Sequence, residues 1–215
     1  MRVSAFLGAI LFVGGATARP NPNDYFSSDY CYPGQRCYPS LKELASFNSS
    51  VGGRLQSDRP IGAVCYRNDP AFNQAACDTL SANSNSTNWR VEHFGSYVYT
   101  LSESCGTQMC NATSAEGTEG QTCYQGRIAN YALKAQSAQD VQRWAKFVSK
   151  YRLRPTIKNT GHDLLARSAG QGGFALWTHE FKSIAFHSTF KPQGCKESYT
   201  NAMTLGAGVQ WGDVS

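Results

Sequence analysis

The chain has 215 residues, 41% of them hydrophobic, and a formal net charge of +5. That charge is mild, and the lysines and arginines are scattered without a basic run or a nucleic-acid motif, so nucleic-acid binding is not expected. No segment is apolar over the roughly 20 residues that span a bilayer, so the mature product is expected to be soluble.

The first residues have the pattern of a secretory signal. Arg2 is the basic region, Ala5 to Val13 the apolar region, and Ala16-Thr17-Ala18 a small-residue cleavage site. The mature chain is expected to begin at Arg19, with 19 basic against 15 acidic residues, a balance of +4. It keeps eight cysteines: 31, 37, 65, 77, 105, 110, 123 and 195. An even count behind a signal implies disulfides, and seven of the eight precede Tyr124, so stapling is expected in the N-terminal part. The pairing stays open, and Cys195 has three fates: a distant partner, a partner outside the chain, or none. Sequons at Asn48, Asn85 and Asn111 also fit a eukaryotic secretory route.

In chain order, residues 19–40 are rich in Pro, Asn and Tyr and are expected to be irregular. Ser40 and Glu43 have capping-box spacing, which predicts a short helix with Leu41, Leu44, Ala45 and Phe47 inward. Asp69-Pro70 reads as the start of a second helix to about Ser81, with Phe72, Ala75, Ala76 and Leu80 on one face and Cys77 available to tie it down. Residues 81–88 read as a polar loop. His93, Phe94, Tyr97 and Tyr99 suggest a strand or packing face, and 103–121 an exposed, disulfide-pinned loop.

The texture changes at Tyr124. Ile128 to Lys134 reads as a strand. Ser137 and Asp140 cap a helix whose Val141, Trp144, Ala145, Val148 and Tyr151 share a face. Arg154 to Lys158 is a second strand, completing a β-α-β unit. Residues 174–178, 184–187 and 202–210 are strand-like, the last with Met203, Leu205, Ala207 and Val209 alternating. Trp211 to Ser215 reads as the threshold of a further element, so the chain is expected to be the N-terminal portion of something larger.

Between the second strand and Phe174 lies the stretch that points to chemistry. Lys158-Asn159-Thr160-Gly161-His162-Asp163 is followed by Arg167, Ser168, Ala169 and Gly170. A glycine-hinged loop after a strand can turn successive amides toward a diphosphate, leaving His162 beside whatever the phosphates carry. Asp163 reads as a turn-capping residue, and Trp144 and Trp177 as core. His179 and His187 match no zinc spacing and read as strand-edge residues, so no metal is expected. Gly206 and Gly208 do not form the Gly-x-Gly-x-x-Gly turn of a Rossmann fold.

The ordered set of strand, helix, strand, Thr-Gly-His-Asp, Arg-Ser-x-Gly, apolar strand and Leu205-Gly-Ala-Gly-Val-Gln-Trp-Gly-Asp-Val214 resembles the secreted berberine-bridge-enzyme-like FAD-linked oxidases of the vanillyl-alcohol-oxidase superfamily. Fungal members are especially similar, including their Cys-rich N-terminal extension. The resemblance implies an α+β fold: a PCMH-type FAD-binding domain, truncated, over residues 124–215, behind a signal (1–18) and a disulfide-rich, glycosylated extension (19–123). It implies FAD as cofactor, bonded covalently through His162. It places Asn159, Thr160, Gly161, Asp163, Arg167, Ser168 and Gly170 against the cofactor, and Gly208 on a strand close to it. A flavin of this kind accepts a hydride from an alcohol, sugar or amine carbon of a small-molecule substrate and passes electrons to oxygen. The substrate domain and its catalytic residues fall outside this sequence. Two other readings are a truncated, inactive product of such a gene, and a non-enzymatic secreted binding module built on residues 19–123.

Overall fold

The protein is represented by a computed structural model that describes residues 29–98 and 123–214. The expected signal, Cys105, Cys110, Tyr99, the Asn111 sequon and the loop over 103–121 lie outside the described residues.

Helix α1 (Leu41–Ser50) starts where the capping box predicts. The Ser40 hydroxyl accepts the Glu43 N–H at 3.3 Å and the Glu43 carboxylate accepts the Ser40 N–H at 2.8 Å. Its inward stripe is Leu44, Phe47 and Val51. Ala45 is exposed and Leu41 is 80% exposed, because positions i, i+3 and i+7 already fill the contact and Ala45 lies about 100° round the helix. Strand β1 (Leu55–Ser57) follows; three residues are too few to show a period, and the sequence did not announce it.

The second helix begins four residues later than expected. Asn73, not Asp69, caps α2 (Gln74–Asn83). Asp69 instead closes a turn by accepting the Ala71 N–H at 2.9 Å and pairs with Arg59, a role open to any Asp ahead of a turn. Phe72 therefore precedes the helix and Ala75 faces solvent, leaving Cys77 and Leu80 as the buried stripe. Cys77 does tie the helix down, through a disulfide to Cys65 at the end of a 3-10 turn (Ile61–Cys65). A second bridge joins Cys31 to Cys37. Cys195 is exposed and carries no disulfide. The polar stretch before Asn88 holds another short helix, α3 (Thr87–Val91), capped by Ser86. His93 is in no strand: it follows α3, its ring 4.0 Å from that of Trp89.

Strand β2 (Tyr131–Lys134), helix α4 (Ala138–Tyr151) and strand β3 (Pro155–Lys158) form the expected β-α-β unit, with β4 (Phe174–Trp177) inserted between its strands. The sheet order is β1-β2-β4-β3; β4 runs parallel to both neighbours and β1 lies antiparallel on the edge. Every residue of β4 is buried, as a central parallel strand requires.

The cap of α4 is reciprocal. Asp140 accepts the Ser137 and Gln136 N–H groups and pairs with Arg54 at 2.6 Å. Burial opposes its ionisation, but these bonds outweigh burial and hold its carboxyl below the usual value. Ser137→Ala removes the acceptor for the Asp140 N–H and is expected to lower stability by about 1 kcal/mol, read as a shifted urea midpoint with an unchanged m-value. Trp144 and Val148 are buried, but Ala145 is exposed and Phe147 takes its place, stacked 4.2 Å from Phe47 of α1. Contact with α1 turns the helix toward Phe147.

One sheet face packs Leu133, Phe174 and Leu176 against α1 and α4. The other packs Ala132, Ala175 and Trp177 against Phe94, Tyr97 and Ile128. Packing thus crosses the textural boundary at residue 124: α1 and β1 precede it, yet build the same core and sheet as the residues after it.

Beyond β4, strands β5 (Ile184–Phe190) and β6 (Tyr199–Leu205) form a separate antiparallel hairpin. β6 starts earlier than expected and ends at Leu205. Gly206 and Gly208 instead bond back to the Ser183 and Phe181 carbonyls, drawing Ala207 and Val209 out of the strand. The register pairs Ile184 with Leu205, Phe186 with Met203 and Phe190 with Tyr199, so one hairpin face is apolar. That face is open, with Phe186 76% exposed. The expected element at Trp211 is a 3-10 turn (Trp211–Asp213).

Candidate functional site

The site grows from the carboxyl end of β3. Lys158 is fully buried and donates to the His93 and Phe94 carbonyls at 2.9 and 2.8 Å. Its ammonium lies 5.0 Å from the Tyr97 ring centre, 5.1 Å from Phe94 and 5.7 Å from Trp177. Burial pushes the amine down to about 7, against the attraction of Asp58. Burial likewise pushes the Asp58 carboxyl up to about 6.

The next residues leave the sheet. The Asn159 carbonyl accepts the Trp177 indole N–H at 2.9 Å, and the Asn159 amide donates to the Ala207 carbonyl at 2.8 Å. Gly161 turns the chain with φ +87°, and a Cβ there would lie 3.0 Å from Lys158 Cε and 3.1 Å from Tyr97 Cδ1. Only glycine meets both demands. The turn puts His162 on the surface, on the wall of a cleft of about 490 Å³. Asn159, Thr160 and His162 form one wall; Val209, Gln210 and Trp211 face them.

The other expected site residues divide differently. Asp163 and Arg167 lock onto each other: the Arg167 side chain donates at 3.0 and 2.9 Å and its backbone N–H also bonds to the Asp163 carboxylate. The Arg167 side chain, its partner through those bonds, holds Asp163 down at about 2. Asp163 thus caps its turn, and Arg167 projects into solvent, its side chain 77% exposed. The Ser168 carbonyl accepts from Tyr97 at 3.0 Å, and the Gly170 N–H bonds to the Arg127 carbonyl at 2.8 Å. Neither lines the cleft; both fasten the returning loop to segments outside the strands, at Tyr97 and Arg127.

Gly208 is adjacent to the cleft, but its smallness answers to the protein's own backbone. A Cβ there would run into the His179 carbonyl and come 2.7 Å from that of Thr178. Gly208→Ala is therefore expected to push the 206–210 loop off residues 178–181 at a cost of about 1–3 kcal/mol, seen as a lower Tm with the far-UV spectrum unchanged. His179 is not at a strand edge: it is 1% exposed and hydrogen-bonded through both ring nitrogens. His187 is in β5, bonded to Thr204 across the hairpin at 2.9 Å. Among the described residues, no three His, Cys, Asp or Glu side chains converge as a metal site, and no helix is long and apolar enough to cross a membrane.

No family model matches the chain. It is 37% identical over 185 residues to the FAD-linked oxidoreductase easE of Arthroderma otae, covering 85% of this chain and 30% of that protein. It is also 37% identical over 190 residues to the FAD-linked oxidoreductase asqF of Emericella nidulans, covering 86% and 32%. The VAO-type flavoprotein MtVAO615 of Myceliophthora thermophila has the same fold at a TM-score of 0.67 and 30% identity, covering 84% of this chain and 32% of that one. The chain belongs to the VAO-type FAD-linked oxidoreductases.

It spans about a third of the length of the curated relatives it matches. Its fold is the VAO-type FAD-binding architecture in part, α+β, behind a disulfide-stapled N-terminal region. Sequence reasoning missed three features of this region: the far wall at Gln210 and Trp211, the buried Lys158 and the buried His179. The wall is a contact across about 50 residues, for which a single sequence carries no signal. Lys158 and His179 are ordinary polar letters until the fold removes their water.

Proposed function

We propose that the chain is the FAD-binding portion of a secreted flavin-dependent oxidase, with His162 as the covalent anchor. The observation that carries this is the exposed imidazole on a glycine turn, at the wall of a 490 Å³ cleft. Ligand pockets commonly fall at about 300–1,000 Å³, so the cleft suits part of a dinucleotide. Trp211, Leu164 and Leu165, all more than 70% exposed, offer apolar surface for a flat ring near His162. Bound FAD supplies hydride acceptance from an alcohol, sugar or amine carbon, with reoxidation by oxygen to hydrogen peroxide. The chain's own contribution is positional. Gly161 turns the chain so that His162 lies on the surface, Asn159 ties the two walls together, and a His162 ring nitrogen would hold the cofactor. Attachment prevents loss of the cofactor outside the cell.

Secretion and glycosylation rest on the signal-like N-terminus and the sequons. Asn85 sits exposed on the turn between α2 and α3, while the Asn48 side-chain oxygen accepts the Leu55 N–H at 2.9 Å. Asn85 is the better acceptor of the two.

A second reading is favoured by the open apolar face of the hairpin and by the eight residues that line the cleft, none of them a carboxylate or tyrosine. In it, the polypeptide cannot turn over by itself and is poorly soluble. The binding-module reading requires residues 19–123 to stand alone, and the shared core argues against that.

The intact mass of the secreted, deglycosylated, reduced protein tests the proposal. A chain beginning at Arg19 plus one FAD is the expected result. The bare polypeptide would sink the oxidase reading for this chain.

A further inference from the structure

His179 follows β4 and is buried behind the cleft, its ring nearly parallel to that of Trp177 at 5.7 Å. Its Nε2 lies 2.9 Å from Glu92 Oε1 and its Nδ1 3.2 Å from Asn159 Oδ1. The Asn159 orientation is set independently, because its Nδ2 donates to the Ala207 carbonyl at 2.8 Å. Turning the amide over would bring oxygen against oxygen at Ala207. Both histidine nitrogens therefore face acceptors, since a carboxylate and an amide oxygen have no proton to give. A neutral imidazole has one N–H and satisfies only one of them; the imidazolium satisfies both.

We infer that His179 is a positioning residue for the cleft: held as an imidazolium between Glu92 and Asn159, it fixes the Asn159 amide and, through it, both walls. The chain of contacts is continuous. Glu92, at the end of α3, holds one side of the ring. Asn159, where β3 gives way to the His162 loop, holds the other side and grips Ala207 on the opposite wall. Gly208, next along, packs against the His179 carbonyl and bonds to Phe181 at 3.0 Å. The charged groups around the ring suit a cation. Glu92, 2.9 Å from the ring, stays 59% exposed to solvent. Asp213 is held below its ordinary value by the Gln210 N–H and Lys182, with a smaller contribution from charge on His179.

The meaning of this clamp for a cofactor rests on the flavin reading above, but the clamp itself does not.

The test is NMR of the His179 ring nitrogens in the labelled full chain, with amide hydrogen exchange of wild type and His179→Gln. Glutamine carries its donors on a single nitrogen and cannot reach acceptors on both sides of the ring position. In acid, both ring nitrogens are expected at protonated shifts. In His179→Gln, the 208–209 amides are expected to exchange roughly tenfold faster, the scale of one charge-assisted hydrogen bond, with Leu133 and Trp177 unchanged. An unprotonated ring nitrogen in acid overturns the inference. Equal acceleration in the central sheet overturns it too, since a packing role alone gives that result. If His179→Gln does not fold, Asn159→Ala leaves the ring in place; it is expected to free the Gly208 amide, and unchanged exchange there counts against the clamp. Neither readout needs flavin, so a protein that clamps but binds none would retract the oxidase reading and leave this one standing.

Discussion

Replacing His162 with alanine is expected to release the flavin completely on acid denaturation, whereas the wild-type precipitate stays yellow. The effect is all or none because a covalent bond either survives unfolding or is never made. The fold should not suffer. His162 is exposed on its turn, and exposed substitutions usually stay within about ±0.5 kcal/mol. The turn itself is dictated by Gly161, which the variant keeps. Flavin release from wild type and variant alike would remove the anchoring role, and retention by the alanine variant would assign it to another residue. A normal Tm for His162→Ala alongside colourless protein would separate lost attachment from lost structure.

Replacing Lys158 is expected to cost more stability than any surface change in the molecule. Lys158→Met keeps the stem among Phe94, Tyr97 and Trp177 but leaves the His93 and Phe94 carbonyls without their donor. Unsatisfied buried acceptors cost about 1–3 kcal/mol each. Lys158→Ala adds a cavity and is expected to lose about 3–5 kcal/mol. The charge runs the other way with pH. The amine titrates at about 7 in the fold against 10.5 when free, so between those values the unfolded chain binds the extra proton. Stability of the wild type therefore gains from this group as pH rises through that window, fully so above 10.5 and not at all below 7. Asp58 has the opposite sign: its carboxyl is raised from 3.8 to about 6, so its effect on stability falls across that interval. Urea unfolding at two pH values within the Lys158 window checks this. The wild type should gain on the alkaline side and Lys158→Met should not; parallel behaviour of the two proteins would refute the account.

The elements legible in the sequence are those whose cause is local. Ser40 with Glu43 and Ser137 with Asp140 announced two helix starts because a capping box needs only neighbours. The run from Phe174 to Trp177 announced a buried strand. Asp69-Pro70 misled because the same pair suits a turn as well as a helix start, and only Arg59 and the Ala71 N–H show which was built. The 202–210 alternation was broken by two glycines that bond to residues 181 and 183, a contact the period cannot encode. The same division runs through the site. Asn159, Thr160 and His162 line the cleft together, whereas Arg167 is spent on Asp163 and Gly208 on the His179 carbonyl.

Sequence alone determined the caps at Ser40 and Ser137, the β-α-β unit, the glycine turn that presents His162 and the stapling of the N-terminal part, because each depends on residues close along the chain. Tertiary structure alone decided that β4 enters between β2 and β3, that β1 and α1 join the sheet across residue 124, and that Val209 to Trp211 face His162. It also decided which polar side chains lose their water. Lys158 and His179 became part of the site only when Phe94, Tyr97 and Trp177 closed over one and Glu92 met the other, and burial is a property of the assembled fold.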